Sequence, residues 1–267
     1  MKALFTFFRI RVIQGLQYRT AAWAGMVTQF FWGFMEVLLY KAFYEAAPDR
    51  FPMTFEALTS YIWLRQGLLM LLDTWISDKE LFTKVLDGSV AYELCRPASL
   101  YGMWFVRTLA LRVSRAVLRF VPLFVVAVLL PAPWGLNAPA SVLACVCFVV
   151  SLALAACVGV AFSMILYFTC FFTLSSEGVR MLLLPVANFL SGEAIPLPFL
   201  PAGLAAVFHY SPFGSMANAP LRIYSGDLAG GAMVETLCLQ VFWLLMLGLI
   251  GWLLKQRGLR KLSVQGG

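Results

Sequence analysis

Residues 140–171 contain no charged side chain. A segment that long and apolar exceeds the ~20 residues needed to cross the hydrocarbon core of a bilayer. Inside lipid the backbone must satisfy its own hydrogen bonds, so the segment has to be a helix. That one run commits the chain to a helical bundle whose solvent is lipid. The rest of the sequence agrees. Hydrophobic residues make up 61% and charged residues 12%, where soluble domains carry about 25% charged. Mean hydropathy is +0.84.

Apolar runs predict six transmembrane helices at 21–44, 55–73, 101–131, 140–171, 179–197 and 232–254. Together they form one all-α integral membrane domain over 1–267. Pro185, Pro196 and Pro198 interrupt the fifth run. Thr54 is placed to cap the second. Residues 1–20 read as an amphipathic interfacial helix, with Phe5, Phe8, Val12 and Leu16 at helical spacing between basic residues. Ala21, Gly25 and Gly33 share a row on the first span. Ser151, Ala155, Gly159 and Ser163 repeat every four residues on the fourth, the spacing that lets membrane helices approach closely. Residues 198–231 are too apolar for a free loop and too short for two spans. They read as two short re-entrant helices broken at Ser211-Pro212.

Lys and Arg set the orientation. They crowd the N-terminal segment, the loop after the second span (Lys79, Lys84, Arg96) and the tail (Lys255, Arg257, Arg260, Lys261). The positive-inside rule puts all three in the cytoplasm, with both termini. The net charge of +7 thus belongs to membrane topology and not to nucleic-acid binding. The basic segment also suits contact with anionic membrane lipid.

Candidate chemistry is sparse. The six cysteines include no CxxC pair and mostly sit in apolar runs, where thiols act as small fillers. One histidine, His209, argues against a His-based metal site. His209, Tyr210 and Ser211 lack a nearby carboxylate to orient the imidazole, so they make a poor nucleophile and base. No G-x-x-x-x-G-K-[ST] phosphate loop exists, so if ATP drives the protein another chain must bind it. No cofactor or metal is expected on this chain.

The block 74–100 is charged and amphipathic between apolar runs. Ser77 and Glu80 have capping-box spacing, which predicts a helix starting at Asp78. Leu81, Phe82, Val85 and Leu86 form an apolar stripe, and Gly88 is a C-terminal stop. Such a helix can lie in the headgroups. It can equally dock into a groove on a soluble partner. Glu36 lies inside the first predicted span and Arg65 inside the second. They sit roughly 12 and 15 Å from the outer end of their helices at 1.5 Å per residue, so an ion pair between them is expected. The sharper alternative is that Glu36 attracts a cationic substrate. Arg107, Arg112, Arg115 and Arg119 are expected to snorkel to the cytoplasmic interface.

Three local patterns carry a resemblance: YELCRP at Tyr92 to Pro97, LSGEAIPLPFLP at Leu190 to Pro201, and SPFGSMANAPLRIYSGD at Ser211 to Asp227. With the six spans and the cytoplasmic block, the chain resembles permease subunits of ABC-2 type ATP-binding-cassette exporters over nearly its whole length. The resemblance implies a coupling helix between spans 2 and 3, with Asp78, Leu81, Phe82, Val85, Leu86 and Arg96 facing an ATPase subunit. It implies an outer gate at Ser191, Gly192, Pro196, Pro212 and Phe213. ATP and Mg would sit on the partner ATPase, and a second permease, identical or related, would complete a path. The substrate would be a hydrophobic or cationic small molecule or a lipid-like compound, exported across a bacterial inner membrane. A membrane-embedded lipid-modifying enzyme and a non-transporting scaffold are the competing readings. The first lacks a polar catalytic cluster, and the second gives the 74–100 block no task.

Overall fold

The computed structural model describes residues 2–17, 19–173, 175–192 and 196–261. Among them the chain forms eleven α-helices and no strand. In order these are α1 (Lys2–Gly15), α2 (Arg19–Ala46), α3 (Phe55–Leu72), α4 (Lys79–Leu86), α5 (Val90–Leu94) and α6 (Leu100–Leu129). Then come α7 (Val142–Thr173), α8 (Ser176–Leu190), α9 (Ala202–Tyr210), α10 (Asn218–Ser225) and α11 (Gly230–Leu259). Helices α7 and α11 are each long and apolar enough to cross a membrane.

Helix α3 is the centre of one half of the bundle. Most of its residues are buried, from Phe55 to Leu72, as a helix apolar all round must be. Thr54 caps it by accepting from the Ala57 N–H at 3.3 Å. Helix α2 leans on α3 through its small residues. A Cβ at Gly33 would stand 3.1 Å from both Trp63 and Gln66. One at Gly25 would meet the Arg119 guanidinium carbon at 2.4 Å, so only glycine lets that head lie against α2. The Ala21 side chain of the same row falls outside the described residues.

The small-residue stripe of α7 is wholly interior. Ser151, Ala155 and Ser163 have no exposed surface, and Gly159 lies under Arg112. Helix α11 packs beside α7, and its buried Gln240 donates to the Ser151 and Ser215 carbonyls at 3.1 and 2.9 Å. At 1.5 Å per residue the 32 residues of α7 extend about 48 Å. Its first half shows Val142, Val146 and Val149 outward; its second half, from Val158 to Phe171, is core.

The 198–231 segment breaks where expected. Helix α9 ends at Tyr210, the chain turns at Ser211–Pro212, and α10 follows. Helix α10 is embedded, with Asn218, Leu221, Ile223 and Tyr224 buried against α3 and α7. Tyr224 donates to the Asn137 carbonyl at 2.8 Å, closing the turn between α6 and α7 over it.

Two expectations change. The fifth apolar run is helical only over 176–190, and at 15 residues α8 is about 22 Å long, short of the ~30 Å hydrocarbon core. It ends in Ser191 and Gly192, whose φ of +77° turns the chain. The N-terminal helix packs along the bundle. It runs parallel to the first half of α6, with Leu4 beside Gly102 and Gly15 beside Ser114. Phe8, Val12 and Leu16 are half-buried there, while Phe5 is exposed.

Candidate functional site

The 74–100 block is fastened to the end of the bundle formed by the C-terminal halves of α7 and α11 and the start of α6. Asp78, and not Ser77, is the cap of α4: its Oδ1 accepts from the Glu80 N–H at 3.0 Å. Asp78 is available because its own N–H is held by Tyr167 Oη at 2.7 Å. Gly88 ends the helix at a φ of +75°, a conformation that side chains resist.

Arg107, about two turns into α6, is the hub. Its Nε donates to Asp78 Oδ2 at 2.6 Å, and Nη1 and Nη2 grip Glu80 at 3.2 and 2.6 Å. Bidentate guanidinium contacts of this kind are among the strongest hydrogen bonds available. These bonds hold the Glu80 carboxyl down to about 2. A second clamp joins α4, α5 and α6. Glu93 accepts from Lys84 Nζ and from Trp104 Nε1. Burial pushes the Glu93 carboxyl up, and these hydrogen bonds outweigh it, so the net shift is downward.

Arg112 is fully buried. It donates to the carbonyls of Leu71, Asp73 and Ile76 at 3.1, 2.7 and 2.8 Å, and to Ser163 Oγ at 3.1 Å. Arg107 and Arg112 therefore do not snorkel to the interface. They fix the chain where it leaves α3, and Arg115 alone of the four is exposed.

The apolar stripe of α4 also differs from expectation. Leu81, Phe82 and Val85 are buried in the chain's own core, next to Trp104 and Tyr167. Phe82 stacks edge-on with Tyr167 at 4.8 Å and lies under the Arg180 guanidinium at 5.6 Å. They are unavailable to a partner. Leu86 is exposed, as are Tyr92 (80%) and Leu94 on α5, and Arg96 beyond them is exposed too. An amphipathic pattern says that one face is apolar, not whose core it joins. Nothing in the sequence marks the acceptors of Arg112, since backbone carbonyls carry no residue signature.

A second feature lies between α2 and α3. Arg65 donates to Glu36 Oε2, and Gln66 Nε2 donates to the same oxygen at 3.3 Å. The pair borders a groove of about 990 Å³ whose lining includes Gln29, Trp32, Met35, Leu69 and Arg119. That volume falls in the range of ligand sites.

The expected gate residues are spread along the chain's second half. Ser191 is buried and donates to the Asn188 carbonyl at 2.9 Å. Gly192 and Pro196 are buried, and Pro212 is half-buried. Phe213 packs edge-on against Phe162 at 5.4 Å. Residues 193–195 of the SGEAIPL pattern lie outside the described residues.

An all-helical bundle in which α7 and α11 are each long and apolar enough to cross a membrane, with a clamped polar block and a groove between α2 and α3, is consistent with a helical membrane protein. The family model described as "ABC-2 family transporter protein" matches residues 26–266. The chain belongs to that family. Among curated proteins none matches it.

Proposed function

We propose that the chain is the permease subunit of an ATP-driven exporter and that α4 and α5 form its coupling block. Family membership supports a permease component of an ATP-binding-cassette transporter. The observation that carries the coupling role is the double clamp. Arg107 and Tyr167 tie α4 to the two long helices α6 and α7, while Leu86, Tyr92 and Leu94 are left exposed beside it. A block so held transmits force, and its exposed apolar residues are the surface for an ATPase subunit that binds ATP and Mg. Arg96 extends that surface.

Six crossings suit the fold. Helices α2, α3, α6, α7 and α11 supply five. The stretch from α8 to Phe199 supplies the other. Arg180 lies over Phe82 at the coupling end, whereas Phe199 stacks near Tyr40 and Phe51 at the far end. An even number leaves both termini in the cytoplasm of a bacterial inner membrane. Helices α9 and α10, with the turns at Ser191–Gly192, Pro196 and Pro212–Phe213, form the outer gate. A second permease, identical or related, completes the path. The Glu36 carboxylate is already held by Arg65 and Gln66, so a hydrophobic or lipid-like substrate suits this chain better than a cation.

Two substitutions test the docking surface. Tyr92→Asp should release a co-purifying ATPase subunit while leaving the permease melting temperature unchanged. Phe82→Asp should unfold the block itself and lower that temperature. An ATPase retained in both Tyr92→Asp and Leu94→Asp rules this surface out.

A further inference from the structure

We propose that the groove between α2 and α3 seats one acyl chain of an anionic membrane phospholipid, with Arg119 on its phosphate and Gln29 on its ester region. The proposal needs only α2 and α3 to be in a membrane, and it does not depend on the ATPase reading.

Gln29 is 6% exposed and lines the groove, yet among the described residues neither its Nε2 nor its Oε1 has a hydrogen-bond partner. A buried carboxamide without partners costs several kcal/mol in hydrocarbon, so the open Nε2 calls for an acceptor from outside, which the ester carbonyl of a phospholipid supplies. Gly25, four residues earlier and on the same face, makes room for the Arg119 guanidinium. Among the described residues no carboxylate pairs with Arg119. The charged residues of the lining are Glu36, Arg65 and Arg119. Glu36 and Arg65 neutralise each other, so Arg119 is the unbalanced charge and the groove favours an anion. Arg115, four residues before it on α6, is exposed and adds a second cation nearby. Trp32, Met35, Leu38 and Leu39 give the groove an exposed apolar wall along α2, beside the hydrogen-bonded Glu36, Arg65 and Gln66. An unbalanced cation beside an exposed apolar wall describes an amphiphile with an anionic head.

The test uses the full permease purified alone in mild detergent. Equal amounts of phosphatidylglycerol and phosphatidylethanolamine with matched chains are added, and retained lipid is read by native mass spectrometry. Wild type should retain phosphatidylglycerol about fivefold more per cation engaged, and the preference should fall at high salt. Arg119→Gln should lower the preference about fivefold, leaving only the share due to Arg115, and Arg119→Lys should keep most of it. Gln29→Leu should weaken retention of both lipids without changing their ratio. Equal retention by wild type, a preference insensitive to salt, or an unchanged ratio in Arg119→Gln each overturns the proposal. So does efficient disulfide formation between two Trp32→Cys copies with no lipid retained, because the face would then be covered by a second permease. The salt arm needs no variant to fold.

Discussion

Tyr167 of α7 accepts a hydrogen bond from the backbone N–H of Asp78 at 2.7 Å. The residue it holds is the one that caps α4 and binds Arg107. One phenol thus fixes both the start of α4 and a partner of its ionic hub. Tyr167→Phe keeps the ring contact with Phe82 and removes the hydroxyl that holds the Asp78 N–H. The local cost should be about 1 kcal/mol. Amide exchange over 78–86 should accelerate about fivefold, with the rest of α7 unchanged.

Acid should loosen the same block. Glu80 is held at about 2 against an ordinary 4.5, chiefly by Arg107. A carboxyl whose folded value lies below its unfolded value contributes stability above the unfolded value and loses it as pH falls toward the folded one. The contribution should therefore be complete above about pH 4.5 and fade toward pH 2. Limited proteolysis between α3 and α6 should rise across that window in wild type. In Glu80→Gln the part due to Glu80 should be absent, and the segment should already be more sensitive at neutral pH.

Arg112→Met should be the most damaging change to the bundle. It fills similar volume but strips partners from the carbonyls of Leu71, Asp73 and Ile76. Each buried acceptor left open costs about 1–3 kcal/mol. Loss of at least about 3 kcal/mol is expected, read as a fall in the thermal midpoint of the detergent-purified chain.

Glu36 and Arg65 should behave as a coupled pair. Removing the Arg65 charge leaves the Glu36 carboxylate with Gln66 alone in a low-dielectric setting, at about 3–5 kcal/mol. Replacing both with leucine should cost much less. A double-mutant cycle on thermal stability reads the difference, and additive single effects would show that the pair is not coupled.

Much of this architecture is legible in the residues. The Thr54 cap, the Gly88 stop, the break at Ser211–Pro212 and the α7 stripe are local signals, and they hold because local geometry decides them. Matching Glu36 to Arg65 works because helix rise converts sequence position into depth. The partners of Arg107, Arg112 and Tyr167 are 27 to 89 residues away, and no periodicity reports such pairings. The α4 stripe misleads for a related reason. Burial against Tyr167 and burial against a partner subunit call for the same leucine and phenylalanine.

Helix α7 meets the 74–100 block at Tyr167 and the embedded α10 at Phe148, which packs edge-on against Tyr224 at 5.2 Å. The two contacts are about 28 Å apart along the helix axis, and no proline interrupts the backbone between them. An unbroken helix is stiff in compression. A displacement imposed at its Tyr167 end therefore arrives at the opposite end nearly undiminished. The helix behaves as a pushrod, and Tyr224 is the bearing at its far end.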